Sequence, residues 1–180
     1  MSRKILVVIG SPRMGGNTTI LAQAFARGAR EAGHEVEFVD AGRAAIAGCL
    51  GCEYCFSHEG ACCQQDDMQE FYPKLRWCDT LVYATPIYCF SFSAQIKAFI
   101  DRMYCGIGKP FGISDTVLLA AFEDKDPSVA NYVVDTYRAL TKYCRMNDAG
   151  VVTVGGVYEK GAIEGNPGLQ KAYELGKSLQ

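Results

Sequence analysis

No stretch of the chain approaches the roughly 20 apolar residues needed to cross a membrane, although 49% of its 180 residues are hydrophobic. There is no excess of one charge either. Eighteen Lys and Arg stand against twenty Asp and Glu, a formal net charge of −2, which leaves no basic stripe for a phosphate backbone and excludes nucleic acid as an expected partner. A charge this small is also too weak for a carrier that docks by electrostatic steering alone. Low-complexity tracts, internal repeats and breaks in composition are lacking, so residues 1–180 read as one domain. The basic start Met1-Ser2-Arg3-Lys4 precedes only a short apolar run, Ile5 to Ile9, before the polar Gly10-Ser11-Pro12-Arg13. That run is too short for a signal-peptide core and reads as a strand, so the expected location is the cytoplasm.

Cysteine, by contrast, is plentiful. There are nine, an odd number, and a reducing compartment argues against a disulfide framework. Five of them, Cys49, Cys52, Cys55, Cys62 and Cys63, crowd a loop at about 48–64. Cys78, Cys89, Cys105 and Cys144 are scattered among apolar neighbours, where a buried free thiol is the default expectation.

Short apolar runs alternate with helical periodicity. Lys4–Ile9 is continuously apolar after its first residue, the pattern of a strand covered on both faces. The spacing then predicts helices over Thr18–Ala32, Asp67–Trp77, Ser93–Met103, Ser128 to about Met146 and Pro167–Leu179. Strands are expected at Glu35–Asp40, Thr80–Ala84, Thr116–Ala121 and Val151–Val154. Such alternation implies parallel pairing with helices on both faces, and five strands favour a flavodoxin-like α/β three-layer sandwich of strand order 2-1-3-4-5. In that order a ligand crevice opens beyond the carboxyl ends of strands one and three, at residues 10–18 and 85–92.

Both loops carry suitable chemistry. Gly10-Ser11-Pro12-Arg13-Met14-Gly15-Gly16-Asn17-Thr18 leads into a helix N-terminus, where free main-chain N–H groups and the helix dipole favour an anion. Gly15 and Gly16 permit the bend, and Ser11, Arg13, Asn17 and Thr18 add donors. There is no G-x-G-x-x-G, Gly16-Asn17 stands where a P-loop needs Lys-Ser/Thr, and this loop holds no cysteine to act as a phosphatase nucleophile. What remains is a cradle that holds a terminal phosphate without transferring it. In the second loop, Thr85-Pro86-Ile87-Tyr88-Cys89-Phe90-Ser91-Phe92-Ser93, Pro86 removes a donor and is expected to end the ladder and turn the chain over the sheet edge. Tyr88, Phe90 and Phe92 offer a wall for a flat heterocycle such as isoalloxazine.

These two loops, together with Ser93-Ala94-Gln95-Ile96-Lys97-Ala98-Phe99-Ile100-Asp101-Arg102, resemble the NADPH-dependent FMN reductase and iron–sulfur flavoprotein group. The likeness runs on through Gly155-Gly156 and Gly165-Asn166-Pro167. The resemblance implies FMN, with Ser11, Arg13, Asn17 and Thr18 on its phosphate, Met14, Gly15 and Gly16 completing that loop, Pro86, Ile87 and Tyr88 along its ring, and Phe90 and Ser91 adjacent. It also implies a homodimer with each flavin near the subunit boundary. The activity expected is NAD(P)H-dependent two-electron reduction of the flavin, with delivery to a quinone, flavin, aromatic or protein acceptor. No side chain stands out as acid or base, and Tyr88 is the one candidate beside the flavin. Asp101 and Arg102 are expected to form an end-of-helix ion pair, and His34 to be a surface turn residue.

Cys49-x2-Cys52-x2-Cys55-x6-Cys62 resembles the compact cluster motif of iron–sulfur flavoproteins, and thiolates so spaced can wrap the corners of one 4Fe-4S cubane. Zinc and unligated thiols are the alternatives, His58 is a possible further ligand, and Cys63 competes with Cys62 for the fourth place. Two other classes of function stay open: a one-electron carrier between protein partners, and a regulatory metal-binding or oxidation-sensing module without flavin.

Overall fold

The computed structural model describes residues 2–180. The chain runs β1 (Lys4–Ile9), α1 (Asn17–Glu31), β2 (Glu35–Val39), α2 (Tyr54–Ser57), α3 (Met68–Trp77), β3 (Thr80–Tyr88), β4 (Ser91–Phe92), α4 (Ala94–Arg102), β5 (Asp115–Ala121), α5 (Asn131–Tyr143), β6 (Asn147–Val154) and α6 (Pro167–Ser178). Short 3-10 turns lie at Met103–Ile107 and Pro127–Ala130. The main sheet is parallel in the order β2-β1-β3-β5-β6, the doubly wound arrangement expected, and β4 adds a sixth, two-residue strand antiparallel to β3.

Alternation along the central strands β1, β3 and β5 explains why their sequences are almost continuously apolar. On one face Leu6, Val8, Leu81, Tyr83 and Leu118 pack with Met68 and Leu75 of α3, Ile96 and Phe99 of α4 and Tyr137 of α5. On the other, Ile5, Val7, Val82, Val117 and Leu119 meet Leu21 and Phe25 of α1 and Ala172 of α6. The central strands β1, β3 and β5 bury both faces, and neither face could be polar without stranding a donor or acceptor, whereas β2 and β6 at the sheet edges are only partly buried.

Five expectations are corrected. Pro86 does not end the ladder: β3 continues to Tyr88, with Pro86 opposite Ala121 of β5, and the chain then reverses in a tight hairpin. A proline whose nitrogen is not needed as a donor can sit in register. The helix expected from Ser128 begins as a 3-10 turn and ends at Tyr143, because Arg145 is left-handed at φ +57°. His34 is buried: its Nδ1 accepts from the Arg3 N–H at 3.1 Å and its Nε2 faces the Leu179 carbonyl at 3.0 Å, so it fastens both ends of the chain to the start of β2. Asp101 pairs with Lys97, not Arg102, whose side chain turns inward to Asp66. Of the four scattered cysteines, Cys78 and Cys105 are buried as expected, while Cys89 and Cys144 are exposed.

Candidate functional site

The carboxyl ends of β1 and β3 open into a cleft with a cavity volume of about 120 Å³. Ser11, Arg13, Gly16, Asn17 and Thr18 line one side, and Pro86, Ile87 and Tyr88 another. The first loop turns at Gly15, φ +61°, a conformation that favours glycine. It closes with the Gly16 N–H donating to the Arg13 carbonyl at 3.2 Å and the Arg13 N–H to Ser11 Oγ at 3.3 Å. Gly16 then caps α1 with no side chain, and no acidic residue occupies the first turn of this 15-residue helix. Its first N–H groups have no intrahelical acceptors, so a positive, uncapped helix end faces the cleft.

The cradle is held from three sides. Ser93 Oγ donates to the Gly10 carbonyl at 2.6 Å and caps α4 by accepting from the Ile96 N–H, which ties the first loop to the second. Gly42, after β2, lies so close beneath that a Cβ there would stand 2.2 Å from the Ser11 carbonyl oxygen. Asn17 binds the loop after β6 with its whole amide: Nδ2 donates to the carbonyls of Val157 at 3.2 Å and Glu159 at 2.8 Å, and Oδ1 accepts from Gly161 at 3.0 Å and Ile163 at 3.3 Å. Its side chain is therefore committed to framework, and toward an anion it offers its main-chain N–H.

Residues from the other strand ends complete the cleft: Phe122 and Glu123 beyond β5, Val157 and Tyr158 beyond β6. The Arg13 guanidinium lies over the Tyr158 ring, 5.4 Å from its centroid, and donates to the Tyr158 carbonyl at 3.0 Å. Lys160 reaches the same loop, its Nζ 3.6 Å from where a Gly15 Cβ would stand. Sequence reasoning missed these positions, although the rule that ligands collect beyond strand carboxyl ends applies to β5 and β6 as well. Met14, 69% exposed, Phe90 and Ser91 do not line the cleft. Phe90 sits at the hairpin tip, edge-on to Tyr132 with centroids 5.5 Å apart. That two-residue turn places Cys89 at φ +47° and Phe90 at φ +63°, the left-handed pair of a type I′ hairpin usually given to Asn and Gly.

Residues 3–125 match the family model for NADPH-dependent FMN reductase. The chain belongs to that family. An iron–sulfur flavoprotein of Archaeoglobus fulgidus is 32% identical, over 98% of this chain and 78% of the relative. One from Methanosarcina thermophila is 30% identical, over 98% and 93%. The solved NAD(P)H:quinone oxidoreductase of Methanothermobacter marburgensis superposes with a TM-score of 0.75 at 20% identity, covering 100% of this chain and 97% of that one, a likeness of fold. The cleft fits the family's cofactor. Its uncapped helix end, hydroxyls and Arg13 suit a phosphate, and the strand end at Pro86–Tyr88 supplies an apolar edge for a ring.

A second pocket forms where the cysteine loop folds over the carboxyl end of α4. Cys49, Cys52, Cys55, Cys62 and Cys63 all line it, with Arg102, Tyr104 and Cys105. The sequence thus brings all five loop thiols to one place, and α4 separates them from the cleft: Ser93 caps one end of this nine-residue helix and Arg102 closes the other, about 13 Å away at 1.5 Å per residue. Among the described residues, no three His, Cys, Asp or Glu side chains converge as a ready-made ligand group. Cys52 and Cys63 bring their thiols within 3.6 Å of each other. The Tyr54 N–H and the Cys63 thiol hold Cys52 below the ordinary thiol range, while that hydrogen bond pushes Cys63 up. Burial raises Cys55, helped by Cys62, Cys49 and Cys52. His58 is stacked on Tyr54 at 3.6 Å, with Nδ1 2.9 Å from the Tyr54 carbonyl.

Arg102 is the unusual member of this pocket. Its side chain is 1% exposed, and Nη1 donates to Asp66 Oδ2 at 2.5 Å and to the Ala47 carbonyl at 3.0 Å. Among the described residues, Nε and Nη2 have no hydrogen-bond partner. A buried cation with idle donors beside five thiols suits an anionic, sulfur-rich occupant. By that measure the pocket fits a thiolate-ligated cluster.

Proposed function

We propose that the chain is an FMN-dependent NAD(P)H oxidoreductase that passes electrons to a quinone, a free flavin, an aromatic electrophile or a protein acceptor. The observation that carries this reading is the convergence of the uncapped α1 N-terminus, Arg13 and the Tyr88 strand end on one cleft. Ser11 and Thr18 hydroxyls and the first α1 N–H groups would hold the phosphate, with Arg13 offsetting its charge. The Pro86–Tyr88 main chain would set the ring edge, and Tyr88, 41% exposed, would border its open face. Bound FMN supplies the hydride and electron chemistry; the protein positions the ring and shields one side of it. We include a homodimer and a cytoplasmic setting, the latter supported by nine cysteines that are all free.

A second reading adds one-electron transfer through a 4Fe-4S cluster held by Cys49, Cys52, Cys55 and Cys62. The idle donors of Arg102 favour it. Cys62 is half-buried and Cys63 exposed, which supports Cys62 as the fourth ligand. Zinc is less well supported, because thiolates around one Zn²⁺ crowd to about 3.8 Å from one another at Zn–S lengths near 2.3 Å. The Cys52–Cys63 pair comes that close, but among the described residues no three such side chains converge on one point, whereas each thiol of a cubane binds a different iron.

The visible spectrum of anaerobically purified protein tests both readings. Flavin bands that bleach on anaerobic addition of NADH or NADPH are expected, with a broad iron–sulfur shoulder if the cluster is present. Protein that stays colourless after incubation with excess FMN and shows no heat of binding overturns the first reading.

A further inference from the structure

A guanidinium carries five N–H donors. In Arg102 the two on Nη1 are taken by Asp66 and Ala47, and Asp66 is itself fixed by the N–H groups of Ala47 and Met68. The arginine is thus clamped along one edge while, among the described residues, Nε–H and the two Nη2–H meet no acceptor in good hydrogen-bond geometry in a side chain 1% exposed, although the Tyr72 hydroxyl lies beside the guanidinium. Idle buried donors on a cation are costly, and polar groups so placed are nearly always satisfied by something. Sulfur dominates the acceptors of the pocket that Arg102 floors. A neutral thiol is a weak acceptor, whereas a thiolate or a bridging sulfide is an anionic one.

We propose that Arg102 is a positioning and potential-setting residue for a thiolate-ligated iron–sulfur centre in the cysteine pocket, donating from Nε and Nη2 to its sulfur atoms; the inference rests on the cluster reading above. The residue touches the centre's sulfur shell and supplies neither a ligand nor an electron. Reduction adds one negative charge to the centre, and a fixed cation with N–H donors on the sulfurs stabilises the more negative state. Arg102 therefore raises the reduction potential. The Asp66 clamp keeps it from swinging out to water, so the effect belongs to the fold.

The test uses the full chain with wild-type Arg102, Arg102→Lys and Arg102→Met, each reconstituted anaerobically with ferrous iron and sulfide. Iron and sulfide are counted first, folding is checked by far-ultraviolet circular dichroism, and the midpoint potential is read by titration followed with electron paramagnetic resonance. Arg102→Met is expected to lower the midpoint by about 59 mV or more, a tenfold change in a one-electron equilibrium constant. Arg102→Lys, which keeps the charge and can still meet Asp66 but lacks the fork, is expected to shift less in the same direction. Full iron content with an unchanged midpoint in both variants overturns the role of Arg102 and leaves the cluster reading standing. Wild-type protein that takes up no iron overturns both, and the iron count separates the two cases. Should Arg102→Met fail to fold, the lysine variant decides: a lowered midpoint supports the proposal and an unchanged one refutes it.

Discussion

The two pockets at opposite ends of α4 differ in how complete they are. In the cleft, the buried polar side chain that could have been idle, Asn17, uses all four of its hydrogen-bonding positions on the 157–163 loop. In the cysteine pocket, Arg102 spends one edge on Asp66 and Ala47 and leaves the other unmet. The first site is a framework built before its ligand arrives, which keeps the cost of ordering out of the binding step. The second has its chemistry in place: the Arg102 charge is met by Asp66, but its Nε and Nη2 donors are not.

Removing the anchor of the second region should have the largest effect. Asp66→Asn leaves a buried guanidinium facing a neutral amide, and loss of one partner of a largely buried pair is expected to cost about 3 kcal/mol, measured by urea unfolding. The same pair gives a pH signature. Burial raises the Asp66 carboxyl, but the Arg102 hydrogen bond and the N–H groups of Ala47 and Met68 outweigh it and hold the carboxyl below its usual value. A depressed native carboxylate contributes stability that is present above about pH 4, the unfolded value, and is lost as pH falls through the native one. The stability gap between wild type and Asp66→Asn should therefore narrow between pH 5 and pH 2. A gap that stays constant would mean the pair is not charged as drawn.

On the other side of the comparison, Asn17→Ala removes a buried amide and strands backbone groups at four positions. A loss of about 2–3 kcal/mol is expected, less than four bonds would suggest because water can reach part of the 157–163 loop. FMN affinity, read by isothermal titration, should fall with it, since the loop carrying Tyr158 and Lys160 is released. Unchanged FMN affinity in folded Asn17→Ala protein would show that the cleft does not depend on that framework.

What the sequence made legible follows from the range of the interactions involved. The apolar runs at Lys4–Ile9 and Thr80–Ala84 announce strands buried on both faces, because continuous burial leaves continuous hydrophobicity. The glycines and hydroxyls of residues 10–18 announce an anion cradle, because local backbone geometry does. The roles of Asn17 and Arg102 could not be read this way. Each was assigned to its nearest sequence context, a phosphate loop or an end-of-helix pair, whereas its partners lie about 140 and 36 residues away. The cysteine spacing pointed to one shared site, and the structure puts all five thiols on one pocket, yet nothing in that spacing shows the arginine beneath them. The wall formed by Phe122 and Tyr158 was missed for the same reason: it exists only once β5 and β6 stand beside β3.

Smaller effects sharpen the cleft itself. Arg13 is exposed and already donates to the Tyr158 carbonyl, so screening limits its contribution to a phosphate. Arg13→Ala is expected to weaken FMN about fivefold while leaving riboflavin, which lacks the phosphate, unchanged. Equal weakening of both ligands would move Arg13 from the phosphate to the ring.

The smallest expected change is a gain. Cys89 and Phe90 hold left-handed backbone at the tip of the β3–β4 hairpin, where Asn-Gly is the favoured pair, and β-carbons at such positions cost of the order of 1 kcal/mol. Replacing them together, Cys89→Asn with Phe90→Gly, should stabilise the chain by about 1 kcal/mol in urea unfolding, less the edge-on contact of Phe90 with Tyr132. Strain of this kind survives where the side chains are needed. The variant should therefore bind FMN as wild type does, since neither residue lines the cleft, but turn over an acceptor more slowly if the Phe90–Tyr132 surface guides it to the open face of the ring. Stabilisation with turnover intact would reduce the hairpin tip to an unoptimised turn, and the functional boundary of the cleft would then stop at Tyr88.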